Sequence, residues 1–172
     1  MVDLGGKPLC AYVLEATDCG CFPKRLVVTR WNEVAEICRK KGVEVLLHEE
    51  PLQRDTIRLG VEQMEGMEGC LFCTADQPLL RKESIQALVD AFLADPSRIY
   101  RLSFGGQGAS PVIFPKAAFA ALKKLPTAGG GSAVFSLFAP PVLVEALDKE
   151  ELMDVDTVED LTQLRRLLAA RY

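Results

Sequence analysis

In "GCLFCTADQPLL", Gly69 to Leu80, an apolar run of strand length stops at an acid, Asp76. An amide, a proline and a second apolar pair follow at once. A short apolar run bounded by turn formers reads as a buried strand, here Gly69 to Ala75. A strand covered on both faces belongs to a sheet flanked by helices. In open sheets of that kind, ligands bind beyond the carboxyl ends of the strands. Asp76 stands at such a place.

The pattern continues in both directions. Upstream, Leu9, Val13 and Ala16 mark a helix after Pro8, and "RLVVTR" (Arg25–Arg30) reads as a strand. Trp31, Val34 and Cys38 line a helix that ends at Lys40-Lys41-Gly42, and "VEVLLH" (Val43–His48) is the next strand. Asp55 is placed to cap a helix carrying Ile57, Val61 and Met64. Downstream, Ile85, Leu88, Val89 and Phe92 form a helical stripe, and Arg98–Gly106 and Ser110–Pro115 read as strands around a glycine turn. A helix over Lys116–Leu125, a loop over Thr127–Ser132 with a short helix, and a strand in "PPVLVEAL" follow. "ELMDVDTVEDL" passes from strand to final helix, with Thr157 and Asp160 as a capping box before Leu161, Leu164 and Leu168. This alternation predicts one α/β domain over residues 1–172, a three-layer Rossmann-like fold with a mostly parallel central sheet. It opens on a helix, however. Met1–Gly6 is too short and glycine-rich for a buried strand, so the pattern lacks a first strand.

Composition narrows the function. Half of the 172 residues are apolar, and the net charge of −4 argues against a nucleic-acid or anionic-membrane surface. No apolar stretch has the length of a membrane span, and "MVDLGGKPLCAYV" lacks the parts of a secretory signal, so a cytoplasmic location is expected. Cys70 and Cys73, three apart on a strand, point to opposite faces, and Cys19-x-Cys21 lacks a second ligand pair. His48 is the only histidine. The six cysteines are therefore expected to be free thiols.

Asp154 and Asp156, in "DVDT", supply acids at a second strand end. With Asp76 they could hold one Mg²⁺, a hard cation that completes its octahedron with water and phosphate oxygens. Gly105-Gly106 and Gly129-Gly130-Gly131 would let backbone approach a ligand. Asp76 and Asp156, each taken singly, are better explained as helix caps. These features alone do not separate a nucleotidyltransferase from a metal-dependent glycosyltransferase.

Longer segments do. "GCLFCTADQPLL" resembles the G-x-L-x-x-x-[GA]-D-Q-P-[LF] block of the MobA-like nucleotidyltransferases, above all their molybdenum-cofactor cytidylyltransferase branch. "LGGKPLCAYVLEA" resembles that family's G-G-x-P-L-L helix, "RDTIRLGVE" its S-x-S-I-x-x-G-L helix, "GASPVIFPKAAFAAL" its G-x-P-V-L-F segment, and "MDVDTVEDL" its D-[IV]-D-T-P-E-D-L ending. The resemblance implies transfer of CMP or GMP from CTP or GTP to a molybdopterin-type phosphate, with Mg²⁺ and release of pyrophosphate. It implies Asp76 as a metal aspartate, with Gln77 and Pro78 shaping the rim. Asp154 and Asp156 match the terminal acidic pair, with Asp156 favoured as the second metal and catalytic contact. Ser110 and Pro111 match the segment near the acceptor, although many relatives carry His or Asn in place of Ser110. Molybdenum hydroxylases or their maturation factors are the implied partners.

The front departs from the family. There a strand and an L-A-A-G-x-S-x-R-M-G-x-x-K loop, which hold the triphosphate, precede G-G-x-P-L. Lys7 follows that position and does not replace the loop's lysine. The chain is thus expected to be truncated relative to the family and to bind CTP or GTP weakly. The family's first strand lies between those matching Arg25–Arg30 and Gly69–Ala75. Its loss should expose two edges, repaired by mutual closure, by the N-terminal residues folding back, or by another chain, a homodimer being favoured. A non-catalytic interaction protein on the same scaffold is the alternative, with a glycosyltransferase ranked behind it.

Overall fold

The computed structural model describes residues 3–4 and 6–171. Asp3–Leu4 (β1) pairs antiparallel with Lys7–Pro8 (β2), and Leu9–Ala16 forms α1. Leu26–Thr29 (β3), Asn32–Lys40 (α2) and Glu44–Leu47 (β4) follow, with β3 parallel to β4. Gln53–Glu62 is α3, Gly69–Phe72 is β5 and Lys82–Ala94 is α4. Tyr100–Phe104 (β6), Gln107–Pro115 (β7) and Val142–Glu145 (β8) complete a sheet of order β5-β7-β6-β8. Between them lie Phe119–Leu122 (α5) and 3₁₀ turns at Lys116–Ala118 and Gly131–Leu137. After β8 come a 3₁₀ turn at Lys149–Leu152 and the helix Val158–Arg171 (α6).

Helices cover both faces of the four-stranded sheet. On one face Val61 of α3, Met64 just beyond it and Leu122 of α5 pack with Val112 and Phe114 of β7. On the other, Ile85, Leu88, Val89 and Phe92 of α4 pack with Tyr100 and Leu102 of β6 and Ile113 of β7. All four α4 residues are buried, as their spacing predicts. Cys70 joins the first cluster and Cys73 the second, so the two thiols do diverge. The sheet is mixed. β7 runs antiparallel to β5 and β6, because it returns from β6 through a tight hairpin, whereas β6 and β8 are parallel.

Several local expectations need correction. The strand of the opening stretch ends at Phe72, opposite Val112. The next residue on β7 is Pro111, which has no N–H to extend the ladder. Trp31 is 65% exposed and precedes α2, whose inward positions are Ala35 and Cys38. Asp55 sits within the first turn of α3, paired with Arg58 at 3.8 Å, while Leu52 is the cap residue. Residues 153–156 are not a strand. Cys19 and Cys21 form a disulfide; the positive φ of Gly20 (73°) turns the chain so that their Cα atoms lie 5.3 Å apart. Leu4, in the stretch read as too short for a buried strand, is nevertheless 1% exposed and packs with Leu79 and Leu164.

The hole expected in the sheet is there. Among the described residues β3–β4 and β5-β7-β6-β8 are separate sheets, and β3 and β5 do not pair with each other. Asp3–Leu4 turns back onto Lys7–Pro8 and extends neither edge.

Candidate active-site rim

The register shows which residues share a rim. Gly69 to Phe72 on β5 face Pro115 back to Val112 on β7. The first half of β7, with Ser110 and Pro111, therefore runs beyond the carboxyl end of β5, alongside the loop that carries Asp76. β5, β6 and β8 point the same way, since β7 is antiparallel to β5 and β6 and β8 is parallel to β6. The chain leaving β8 thus reaches the same rim, and it leads through Lys149–Leu152 to Asp154 and Asp156.

The loop after β5 is held from below. Gln77, Pro78, Leu79 and Leu80 are buried, and Leu79 packs against Leu164 of α6. The Val155 N–H donates to the Asp76 carbonyl at 3.0 Å, bridging the two acid-bearing segments. At the start of α6 the capping box forms as the sequence suggests. The Asp160 N–H donates to Thr157 Oγ1 at 3.1 Å, and the Thr157 N–H to Asp160 Oδ2 at 2.9 Å.

Asp154 stands within electrostatic reach of Asp76. Burial pushes the Asp154 carboxyl above its ordinary range, the charge of Asp76 pushes it further, and Asp156 adds a smaller push. The Gln77 side-chain amide, hydrogen-bonded to Asp154, pulls the other way. Three buried side-chain oxygens here lack hydrogen-bond partners: Thr74 Oγ1, Asp76 Oδ1 and Gln77 Oε1. Buried acceptors are normally satisfied, so oxygens orphaned beside two carboxylates suit a hard cation. Among the described residues no three His, Cys, Asp or Glu side chains form a complete metal cage. Asp76, Asp154 and Asp156 therefore do not come together as the three-acid cation site the sequence suggests.

The glycines have structural explanations. Gly105 and Gly106, at φ 57° and 79°, are the two left-handed residues of the β6–β7 hairpin. The Gly105 N–H is taken by Glu145 Oε1 at 2.6 Å. A Cβ on Gly131 would lie 3.1 Å from Phe114 Cζ, and one on Gly130 would lie 3.2 Å from Gln53 Oε1. That loop is short of room against protein, not opened towards a ligand. Lys7 is engaged with Glu15 and lies 4.0 Å from the Tyr12 ring centroid.

Sequence reasoning missed Arg81, Asp148 and Glu151. Glu151 is fully buried and its Oε2 accepts the Arg81 N–H at 3.1 Å. The Arg81 guanidinium pairs with Asp148, and the Glu151 N–H donates to Asp148 Oδ1 at 3.1 Å. The available signal was the Asp148-x-x-Glu151 spacing, a capping-box pattern hidden in a charged run.

The mixed α/β sheet is a fold that this chain shares with a solved nucleotidyl transferase from Methanothermobacter, at a TM-score of 0.80 and 18% identity over 99% of this chain and 85% of that one. The chain belongs to the MobA-like NTP transferase domain family, whose model matches residues 1–146. It is similar to the bifunctional protein GlmU of Corynebacterium diphtheriae, 30% identical over 107 residues; the match spans 56% of this chain and 22% of that protein. Its fold is that of Rv0371c from Mycobacterium tuberculosis, solved in complex with manganese, at a TM-score of 0.75 and 17% identity over 96% of this chain and 90% of that one. Molybdopterin-guanine dinucleotide biosynthesis protein A from Archaeoglobus fulgidus has the same fold, at a TM-score of 0.74 and 17% identity over 98% and 89%. No described helix is long and apolar enough to cross a membrane.

Proposed function

We propose that this chain is a metal-dependent nucleotidyltransferase that moves CMP or GMP from CTP or GTP to the phosphate of a molybdopterin-type acceptor. The reading rests on one observation: the orphaned oxygens of Thr74, Asp76 and Gln77 beside Asp154 on the carboxyl rim. The family match and the relatives' fold support it. In the reaction an acceptor phosphate oxygen forms a bond to the α-phosphorus, the α–β phosphoanhydride breaks, and pyrophosphate leaves. A bound Mg²⁺ supplies positive charge against the triphosphate oxygens.

Asp76 and Asp154 or Asp156 hold that ion, and Gln77 orients Asp154 through its amide. Pro78 fixes the turn out of the loop. Ser110 and Pro111 flank the acceptor, since β7 carries them past the end of β5. Pyrophosphate release from CTP or GTP, with Mg²⁺ and molybdopterin, tests the assignment. Asp76→Ala should abolish release while leaving the far-ultraviolet spectrum unchanged; a fully active Asp76→Ala protein refutes it. A cytoplasmic location and delivery to a molybdenum hydroxylase or its maturation factors follow from this reading.

One observation favours a second reading, a non-catalytic interaction protein that self-associates: among the described residues, β3 and β5 each have an edge that no strand pairs. It predicts a dimer by light scattering and no transfer with either triphosphate.

A further inference from the structure

The two acid-bearing segments are fastened together beside the acids and again at a point away from them. Near them, the Val155 N–H reaches the Asp76 carbonyl at 3.0 Å. At the far point stands Glu151, a carboxylate with no exposed surface, on the 3₁₀ turn Lys149–Leu152. Its Oε2 accepts the N–H of Arg81, the residue before α4, at 3.1 Å. Its Oε1 accepts the N–H of Leu147, just after β8, at 3.1 Å. The Arg81 guanidinium stands over the same group, its Nε 3.8 Å from Glu151 Oε1, and pairs with Asp148 on its other side. A buried carboxylate is kept only where such donors replace its water.

One side chain thus joins the end of the loop after β5, the end of β8 and the turn leading to Asp154. We infer that Glu151 is a positioning residue: by clamping Arg81 to Leu147 it sets the spacing of Asp76 and Asp154, and hence the affinity of the rim for a divalent cation. This rests on the metal-site reading above, and it concerns a residue that touches neither the ion nor substrate. Without the carboxylate, the Arg81 and Leu147 N–H groups lose their acceptor and Arg81 keeps only Asp148. The segments then stay joined through Val155, the Gln77–Asp154 hydrogen bond, the Arg81–Asp148 pair and side-chain packing, less firmly held against the small displacements that matter to a cation site.

The test compares wild type, Glu151→Ala, Glu151→Gln and Leu122→Ala, the last removing a buried side chain remote from the rim. Mn²⁺ alone is titrated by electron paramagnetic resonance, and amide hydrogen exchange is followed at Val155 and across β6–β7. Glu151→Ala should weaken Mn²⁺ binding about tenfold or more and speed Val155 exchange by a similar factor, with β6–β7 unchanged. Glu151→Gln keeps one acceptor oxygen and should fall between; it also serves if Glu151→Ala does not fold. Leu122→Ala should lose stability yet keep the Mn²⁺ affinity. Unchanged Mn²⁺ affinity and Val155 exchange in folded Glu151→Ala or Glu151→Gln protein overturn the inference alone. Failure of wild type itself to bind Mn²⁺ overturns it together with the metal-site reading.

Discussion

Gly69 opens the strand that delivers Asp76, and it has no room for a side chain. A Cβ there would lie 2.3 Å from Phe92 Cζ, 2.9 Å from Phe92 Cε1 and 3.0 Å from the Phe114 carbonyl oxygen. The first distance falls more than an ångström short of ordinary carbon–carbon contact, about 3.5 Å or more. Neither neighbour yields easily. Phe92 is 6% exposed and meets the Tyr100 ring edge-on at 6.0 Å between centroids. The Phe114 carbonyl belongs to β7, which pairs with β5 through Cys70 and Phe114. Gly69→Ala should therefore cost about 1–3 kcal/mol as an overpacked core. At roughly 2–4 °C per kcal/mol for a chain of this size, the melting temperature should fall by about 2–12 °C. Urea unfolding would show a lower midpoint with the slope unchanged. A coupled change supplies the control: Phe92→Leu should be destabilising alone yet recover part of the loss when combined with Gly69→Ala. A Gly69→Ala protein as stable as wild type, or additive effects of the two changes, would refute the packing argument.

Three further outcomes are expected. Asp154→Asn should stabilise the protein at pH 7 and lose that advantage as the solution is acidified. A carboxyl whose folded pKa is raised is most favourable when protonated, and that contribution disappears as pH rises through the folded value. Melting temperatures of both proteins between pH 3.5 and 8 check this, and a gap that widens on acidification contradicts it. Thr157→Ala removes the acceptor of the Asp160 N–H and should cost about 0.5–2 kcal/mol in urea unfolding, with Thr157→Ser close to wild type. Burial pushes the Cys70 and Cys73 thiols up to about 12, so at pH 8 iodoacetamide should label them only after unfolding, as mass spectrometry of the peptides would show.

The amino-acid sequence by itself determined the alternation of strands and helices. Period and punctuation were sufficient where a single segment decides the outcome. The α4 stripe Ile85, Leu88, Val89 and Phe92 is buried as spaced, and Thr157 with Asp160 caps α6 as written. What depended on a neighbouring strand was not legible. Pro111, distant in sequence, ends the ladder at Phe72, and β7 reverses the local direction of the sheet. The close partnership of Asp154 with Asp76 and Gln77 was likewise decided by tertiary structure, because it follows from how the chain after β8 crosses the end of β5. Glu151 is the sharpest case. In "DKEEL" it is one charge in a charged run, and only folding brings the Arg81 and Leu147 amides to its carboxylate and makes its burial tolerable. Local sequence carries propensity and pattern, whereas the partners of a buried polar group come from segments far apart in the chain.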